Sequence, residues 1–263
     1  MTNSPQHTTA PARPLALVTG AGRPEGIAYA IARELADGGW DVAFSYLTSY
    51  DARMAWGATP GAAARLSAEL AELGAHAIGF EADLAAPDSP AQLFEAVTEG
   101  FGGRTVDALV MCHAESVDSS ILDTSVESFD RHFAVNARAS WLLIKEYGSR
   151  FAGAHRRGRI IALTSDHTAH NLPYGASKGA LDRIVLAAAR EFAGLGVTAN
   201  AINPGPVDNG WMPAPLRDQL TEATPLGRLG VPRDCAHLVG FLCSEQGGWI
   251  NGQLLSSDGG IGS

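Results

Sequence analysis

The sequence predicts an α/β fold, a single doubly wound domain on a parallel sheet of about seven strands. Three observations predict it. Short apolar runs alternate with segments of helical spacing from Leu15 almost to the C-terminus. The runs are apolar throughout rather than every second residue, as suits strands buried on both faces of a parallel sheet. The first run leads straight into a glycine-rich turn and then a helix, a setting in which backbone N–H groups can approach a phosphate.

In chain order, the strands are expected at 15–19 (LALVT), 41–46 (DVAFSY), 76–81, 107–111 (DALVM), 158–164 (GRIIALT), 197–203 (VTANAIN) and 253–256 (QLLS). Helical spacing of apolar residues marks 26–37, 61–73, 89–100, 125–151, 174–194 and 233–243. Each helix lies between strands, so right-handed crossovers connect a parallel sheet. Two segments lack either period. Residues 47–60 (LTSYDARMAWGATP) and 204–232, which hold six prolines, read as long loops. Both follow strands, and so belong on the rim where ligands bind in open α/β sheets. Residues 1–14 are polar and proline-rich and read as a disordered tail, leaving 15–263 as one domain.

Composition narrows the function classes. Of 263 residues, 46% are hydrophobic and 18% charged, enough for a large core and unlike a disordered chain. The net charge of −9 is spread without basic runs, which argues against nucleic acid as partner. No apolar run approaches the length of a membrane span. Three scattered cysteines, Cys112, Cys235 and Cys243, form neither a disulfide framework nor a zinc motif. With no apolar leader at the N-terminus, a cytoplasmic location is expected. Basic residues are nearly all arginine; Lys145 and Lys178 are the only lysines.

The first turn runs Thr19-Gly20-Ala21-Gly22-Arg23-Pro24-Glu25-Gly26-Ile27-Ala28. Its glycines allow a tight turn and close approach to a pyrophosphate, though the spacing is not GxGxxG. The second strand ends Phe44-Ser45-Tyr46-Leu47, with no acid for a ribose 2′-hydroxyl until Asp51. Arg23 is either a solvated loop charge or a partner for a 2′-phosphate; the second reading tilts the cofactor to NADP, with NAD as the alternative.

Tyr174 and Lys178 are four apart at a helix start, hence on one face. An ammonium there would favour the phenolate and lower the tyrosine pKa, tuning it for proton transfer. An exposed helix pair is the bland alternative. Ser165 ends the preceding strand, and Asn136 is an amide among apolar residues that needs a partner.

These residues carry a resemblance. The chain from Leu15 to Gly260 resembles the short-chain dehydrogenase/reductase family. The branch is like the 3-oxoacyl-ACP reductases, with a lengthened glycine-rich turn. The motifs, in order, are the TG-rich turn, Ala82-Asp83-Leu84, Asn136, Ser165, Tyr174-x-Ala176-Ser177-Lys178 and Asn203-Pro204-Gly205-Pro206-Val207. Pro225-Leu226-Gly227-Arg228 and Asn251-Gly252-Gln253 with Asp258-Gly259-Gly260 complete the series. The resemblance implies a Rossmann-type fold and a carbonyl/secondary-alcohol oxidoreductase, acting on a small molecule. Tyr174 would be the general acid–base, Lys178 would lower its pKa and hold a ribose, Ser165 would bind the substrate oxygen, and Asn136 would hold a relay water. The implied cofactor contacts are Gly20, Arg23, Gly26, Ile27, Asp83, Tyr174, Lys178, Pro204, Gly205, Val207 and Asn209. The assembly implied is a homotetramer or homodimer.

The chain also departs from the family. Cys112-His113-Ala114-Glu115 stands where Asn-Asn-Ala-Gly is usual; His113 either brings a group that can titrate near neutral pH or is a tolerated replacement packed beneath the cofactor. Ser165 and Tyr174 are closer than usual, so the loop 166–173, with His167 and His170, is shortened, which should open the substrate pocket or let another segment fill it, and Thr164 becomes the neighbouring candidate for the role of Ser165. A non-catalytic NADP-binding relative, or an epimerase or dehydratase of the same family, is the competing reading. Gly175-Ala176-Ser177-Lys178-Gly179 matches a hydrolase elbow, but no strand leads into Ser177.

Overall fold

The computed structural model describes residues 13–210 and 212–262. Seven strands, β1 (Leu15–Thr19), β2 (Asp41–Tyr46), β3 (Ala77–Glu81), β4 (Ala108–Met111), β5 (Arg159–Leu163), β6 (Thr198–Asn203) and β7 (Leu254–Ser256), form one sheet in the order β3-β2-β1-β4-β5-β6-β7. All neighbours pair in parallel. Successive side chains of a strand point to opposite faces. Leu15 and Leu17 accordingly join one core cluster, and Ala16 and Val18 the other. The first cluster lies under α4 (Ser89–Gly100), α6 (Ala139–Arg150) and α7 (Leu172–Glu191). The second lies under α1 (Ile27–Asp37), α3 (Ala62–Glu72) and α9 (Pro232–Cys243). β1 is flanked by β2 on one side and β4 on the other, so the chain reverses its winding there and a crevice opens at the strands' carboxyl ends.

Strand limits agree with the sequence reading to within one residue. The differences lie elsewhere. The expected helix 125–151 is three pieces: α5 (Val126–His132), a π-helical turn (Phe133–Arg138) and α6. The two expected loops each contain a helix, α2 (Thr48–Arg53) and α8 (Ala214–Ala223). Six residues are too few to display a period. α8 buries none of its residues, so it has no apolar stripe to read. Residues 1–12 of the expected tail and Trp211 lie outside the described residues. Arg13, assigned to that tail, donates to the carbonyls of Ala36 at 2.5 Å and Trp40 at 3.1 Å. No helix among the described residues is long and apolar enough to cross a membrane.

One buried cation holds the amino-terminal end of β5 to α9. Arg159, the first residue of β5, is 5% exposed. It donates to Leu242 O at 3.0 Å, Ser244 O at 3.3 Å, Arg156 O at 3.0 Å and Gly158 O at 2.9 Å. It thereby satisfies carbonyls at the C-terminal end of α9 and meets the negative end of that helix. Burial pulls its pKa down, as expected of a cation whose partners are carbonyl dipoles. Arg159→Met should destabilise the protein by about 3 kcal/mol, since bonds from a charged donor are lost and carbonyls stay buried. Urea unfolding would read this; a change below about 1 kcal/mol, an ordinary loss for one neutral hydrogen bond, would contradict it.

Candidate active site

The crevice beside β1 is a cleft whose floor is the glycine-rich turn. Gly20 has φ +83°, and a Cβ there would stand 2.9 Å from the backbone of His113. Only glycine suits both demands. The Asp51 carboxylate packs directly against Gly22, so a side chain there would have to displace it. Gly26 caps α1 without a side-chain bond, and Gly26, Ile27 and Ala28 line the cleft. The positive end of the α1 dipole is therefore directed into it.

Four other strands supply the walls, and Tyr46, Leu47 and Tyr50 come from the end of β2 and the segment after it. Asp83 and Leu84 follow β3, Cys112 to Glu115 follow β4, and Asn209 follows β6. Asp83 Oδ1 accepts from Ala85 N at 3.0 Å, which fixes the turn. Val207 bridges to Gly230, and Gly205, at φ +59°, packs against Asp258; these and Pro204 anchor the segment that delivers Asn209. Asn209 Oδ1 is buried without a hydrogen-bond partner. It is an acceptor in a cleft wall, suited to an amide N–H.

Arg23 is not a solvated charge. It donates to Asn209 O at 2.6 Å and lies 4.4 Å over the Trp56 ring. Trp56 in turn donates to Asp51 at 3.0 Å. The two rim segments that lacked a period thus meet through Arg23 across the cleft. Asp51 was missed as a wall residue; the only sequence sign was the position of its segment after β2.

His113 is a packed replacement and not a titrating group. Thr19 Oγ1 bonds Nδ1 at 2.7 Å and Val135 O bonds Nε2 at 3.1 Å. A carbonyl only accepts, so Nε2 carries the proton and Nδ1 accepts from Thr19. Burial, with the nearby Lys178 charge, pushes the His113 pKa down to about 3. It does not titrate near neutral pH; it is a neutral peg joining β1 to the π-helical turn.

Asn136 lies in that turn and is fully buried. Its Oδ1 accepts from Glu115 N at 2.8 Å, and its Nδ2 donates to Glu115 O at 2.9 Å and Ser177 Oγ at 2.8 Å. Its side chain therefore braces the chain after β4 against α7. Its carbonyl accepts from Ser140 Oγ at 2.8 Å.

Tyr174 and Lys178 occupy the first two turns of α7, with the Lys178 Nζ 5.6 Å from the centre of the Tyr174 ring. Lys178 is 2% exposed and Nζ donates to Leu163 O at 2.7 Å. Burial pushes its pKa down to about 8, opposed by Cys112 and Asp182. The Tyr174 pKa moves opposite to the sequence expectation. Packing around the phenol raises it to about 12, and the Ser165 side chain alone pulls it down. The ammonium is turned to the Leu163 carbonyl, and so does not offset burial of the phenol. Ser165 Oγ also accepts from His167 N at 3.2 Å. His167 and His170 are exposed. The His167 carbonyl rests on Gly175, where no side chain would fit, so the short loop lies flat on α7. Among the described residues no three His, Cys, Asp or Glu side chains are grouped to hold a metal.

Comparisons agree with this geometry. A protein-family profile described as enoyl-(acyl carrier protein) reductase matches residues 20–262. The chain is 33% identical over 252 residues to the uncharacterized oxidoreductase YjdA of Bacillus subtilis, covering 94% of this chain and 96% of that one. It is 34% identical over 258 residues to an NADPH-dependent aldehyde reductase-like protein of Arabidopsis thaliana, covering 94% and 93%. Among solved structures, a short-chain dehydrogenase/reductase of Serratia marcescens superposes with TM-score 0.85 at 28% identity, covering 97% of this chain and 100% of that one. The angucycline C-6 ketoreductase LanV, with bound NADP, gives 0.83 at 32% identity, covering 94% and 95%.

Proposed function

This chain belongs to the short-chain dehydrogenase/reductase family, and from that membership we propose an NADP(H)-dependent enzyme that interconverts a small-molecule carbonyl and a secondary alcohol through Tyr174. The observation that carries the reading is the placing of Tyr174, Lys178 and Ser165 at the carboxyl end of β5, next to the cleft. Cys112 and His113 line that cleft and both feel the Lys178 charge.

The residues fit a nicotinamide dinucleotide. The glycine floor and the α1 dipole suit a pyrophosphate, the Asn209 acceptor suits a carboxamide, and Arg23 is a cation at the phosphate turn. Asp83, in the cleft lining, would meet an adenine amino group, and Pro204, Gly205 and Val207 would support the nicotinamide end. The relatives support NADP: one is named NADPH-dependent and LanV was solved with NADP. When bound, the cofactor supplies or accepts the hydride. The chain's own part is proton transfer and orientation. Ser165 donates to the carbonyl oxygen, and Tyr174, protonated at neutral pH, gives its proton to that oxygen as it gains charge. Lys178 would stabilise the phenolate left behind by turning its ammonium from Leu163 O towards it, and Asn136 holds the turn from which a relay water would reach it. The reverse direction uses the phenolate as base. Exposed Val126 and Trp141, on α5 and α6, support a homotetramer or homodimer built on those helices.

The test compares thermal shifts with NADPH and NADH and then screens aldehydes, ketones and alcohols by nicotinamide absorbance. NADPH should raise Tm more than NADH, and at least one carbonyl should be reduced. A larger shift with NADH would overturn the cofactor assignment. NADPH binding without turnover across the panel would favour the non-catalytic alternative.

A further inference from the structure

The cleft wall holds a buried carboxylate that the reaction above does not use. Glu115 has a side chain only 2% exposed, and it pairs with Arg53 of α2 and, at 3.1 Å, with Arg131 of α5. A carboxylate this deep needs its cations, because removing one leaves an uncompensated buried charge. One anion therefore ties α2 and α5 to the chain after β4.

α2 belongs to the segment over the cleft. Tyr50, Asp51 and Trp56 line the cavity, and Arg53 lies 4.8 Å over the Tyr50 ring. From Glu115 the contacts continue inward without a gap. Its N–H and carbonyl are both held by the Asn136 amide, Asn136 Nδ2 donates to Ser177 Oγ, and Ser177 Oγ donates to Tyr174 O at 2.8 Å. Every member of this path is buried or part-buried, so its geometry is over-determined rather than floppy.

We propose that Glu115 is a positioning residue that couples α2, the cover of the nucleotide cleft, to the turn of α7 carrying Tyr174. With Arg53 seated on Glu115, the Asn136–Ser177 brace holds the phenol in register; with Arg53 released, the brace loosens. Seating of the nucleotide under α2 and readiness of Tyr174 are then one event. The inference rests on the reading of Tyr174 as the proton donor.

The test uses Arg53→Met on the intact protein, because Arg53 is on the surface of α2 and outside the reacting groups. At saturating NADPH and carbonyl, kcat should fall roughly 5-fold or more, the lower range of coupling between sites. The carbonyl KM should hold. Amide hydrogen exchange of residues 172–178, measured without cofactor, should quicken. Glu115→Gln should do the same, and the double variant should be no worse than the weaker single variant, because both break one latch. Native kcat with native exchange at 172–178 would overturn the coupling, whether or not NADPH binds more weakly. Fully additive losses would overturn it as well. A variant that only folds less well would lower Tm without changing kcat per folded molecule. Tyr174→Phe is run alongside. If that variant turns over, the reading of Tyr174 fails, while the exchange result still decides whether α2 and α7 are coupled.

Discussion

Tyr174→Phe should lower kcat for carbonyl reduction by about 10²- to 10⁴-fold, the usual worth of a positioned general acid. The change removes one oxygen and leaves the ring, so the packing of α7 is kept. The cleft walls are made by other residues, so NADPH should still raise Tm as in the native protein. A phenol held at about 12 stays protonated throughout the neutral range, which suits an acid that gives up its proton only as the substrate oxygen gains charge. Ser165 is the one side chain lowering that value. Loss of turnover with loss of NADPH binding would point to a cofactor role for the phenol; full turnover would remove Tyr174 from the mechanism.

Legibility of the sequence followed the range of each signal. Strands and long helices were readable because burial on both sheet faces leaves continuous apolar runs, and β1 to β7 match them closely. α8 was not readable because nothing in it is buried. The π-helical turn was hidden for another reason. It keeps a helical apolar period through Phe133–Arg138, and only the partners of Asn136 and Val135 reveal the extra residue. The order Asn136, Ser165, Tyr174, Lys178 was visible as residue types at fixed places. Their electrostatics were not. Four-residue spacing puts an ammonium beside a phenol, but it does not say that Nζ turns to Leu163 O, or that packing outweighs charge at Tyr174. His113 shows the same gap. Its chemistry suggested a titrating group, and only Thr19, Val135 and burial make it a neutral peg.

Lys178 should leave a pH signature in both catalysis and stability. Its folded pKa is about 8 against an ordinary 10.5, a depression worth about 3 kcal/mol. Below pH 8 the ammonium is charged in both folded and unfolded chains, and the folded state bears the cost of burying it. Between pH 8 and 10.5 the folded group has released its proton while the unfolded one retains it. The unfolded state then binds more protons, so stability from this group rises with pH across that window. Lys178→Met lacks the titration, so the stability of the native protein relative to the variant should climb by up to about 3 kcal/mol from pH 7 to pH 10.5. Activity runs the other way. Only the charged Lys178 stabilises the phenolate, so kcat/KM for reduction, which reports the free enzyme, should fall above pH 8, and the methionine variant should lose turnover at every pH. Tyr174, at about 12, adds no ionisation in this range, and His113 is neutral throughout it. The groups acting on the Lys178 charge are Asp182 on α7 and Cys112 beyond β4. The Cys112 thiol is pushed up by its own burial and stays neutral here, which leaves Asp182 as the acidic side chain that opposes the effect of burial on Lys178. Urea unfolding and initial rates across pH 7 to 10 decide the matter. A flat kcat/KM profile, or a stability difference that does not change with pH, would mean that Lys178 is not the buried cation on which this chemistry depends.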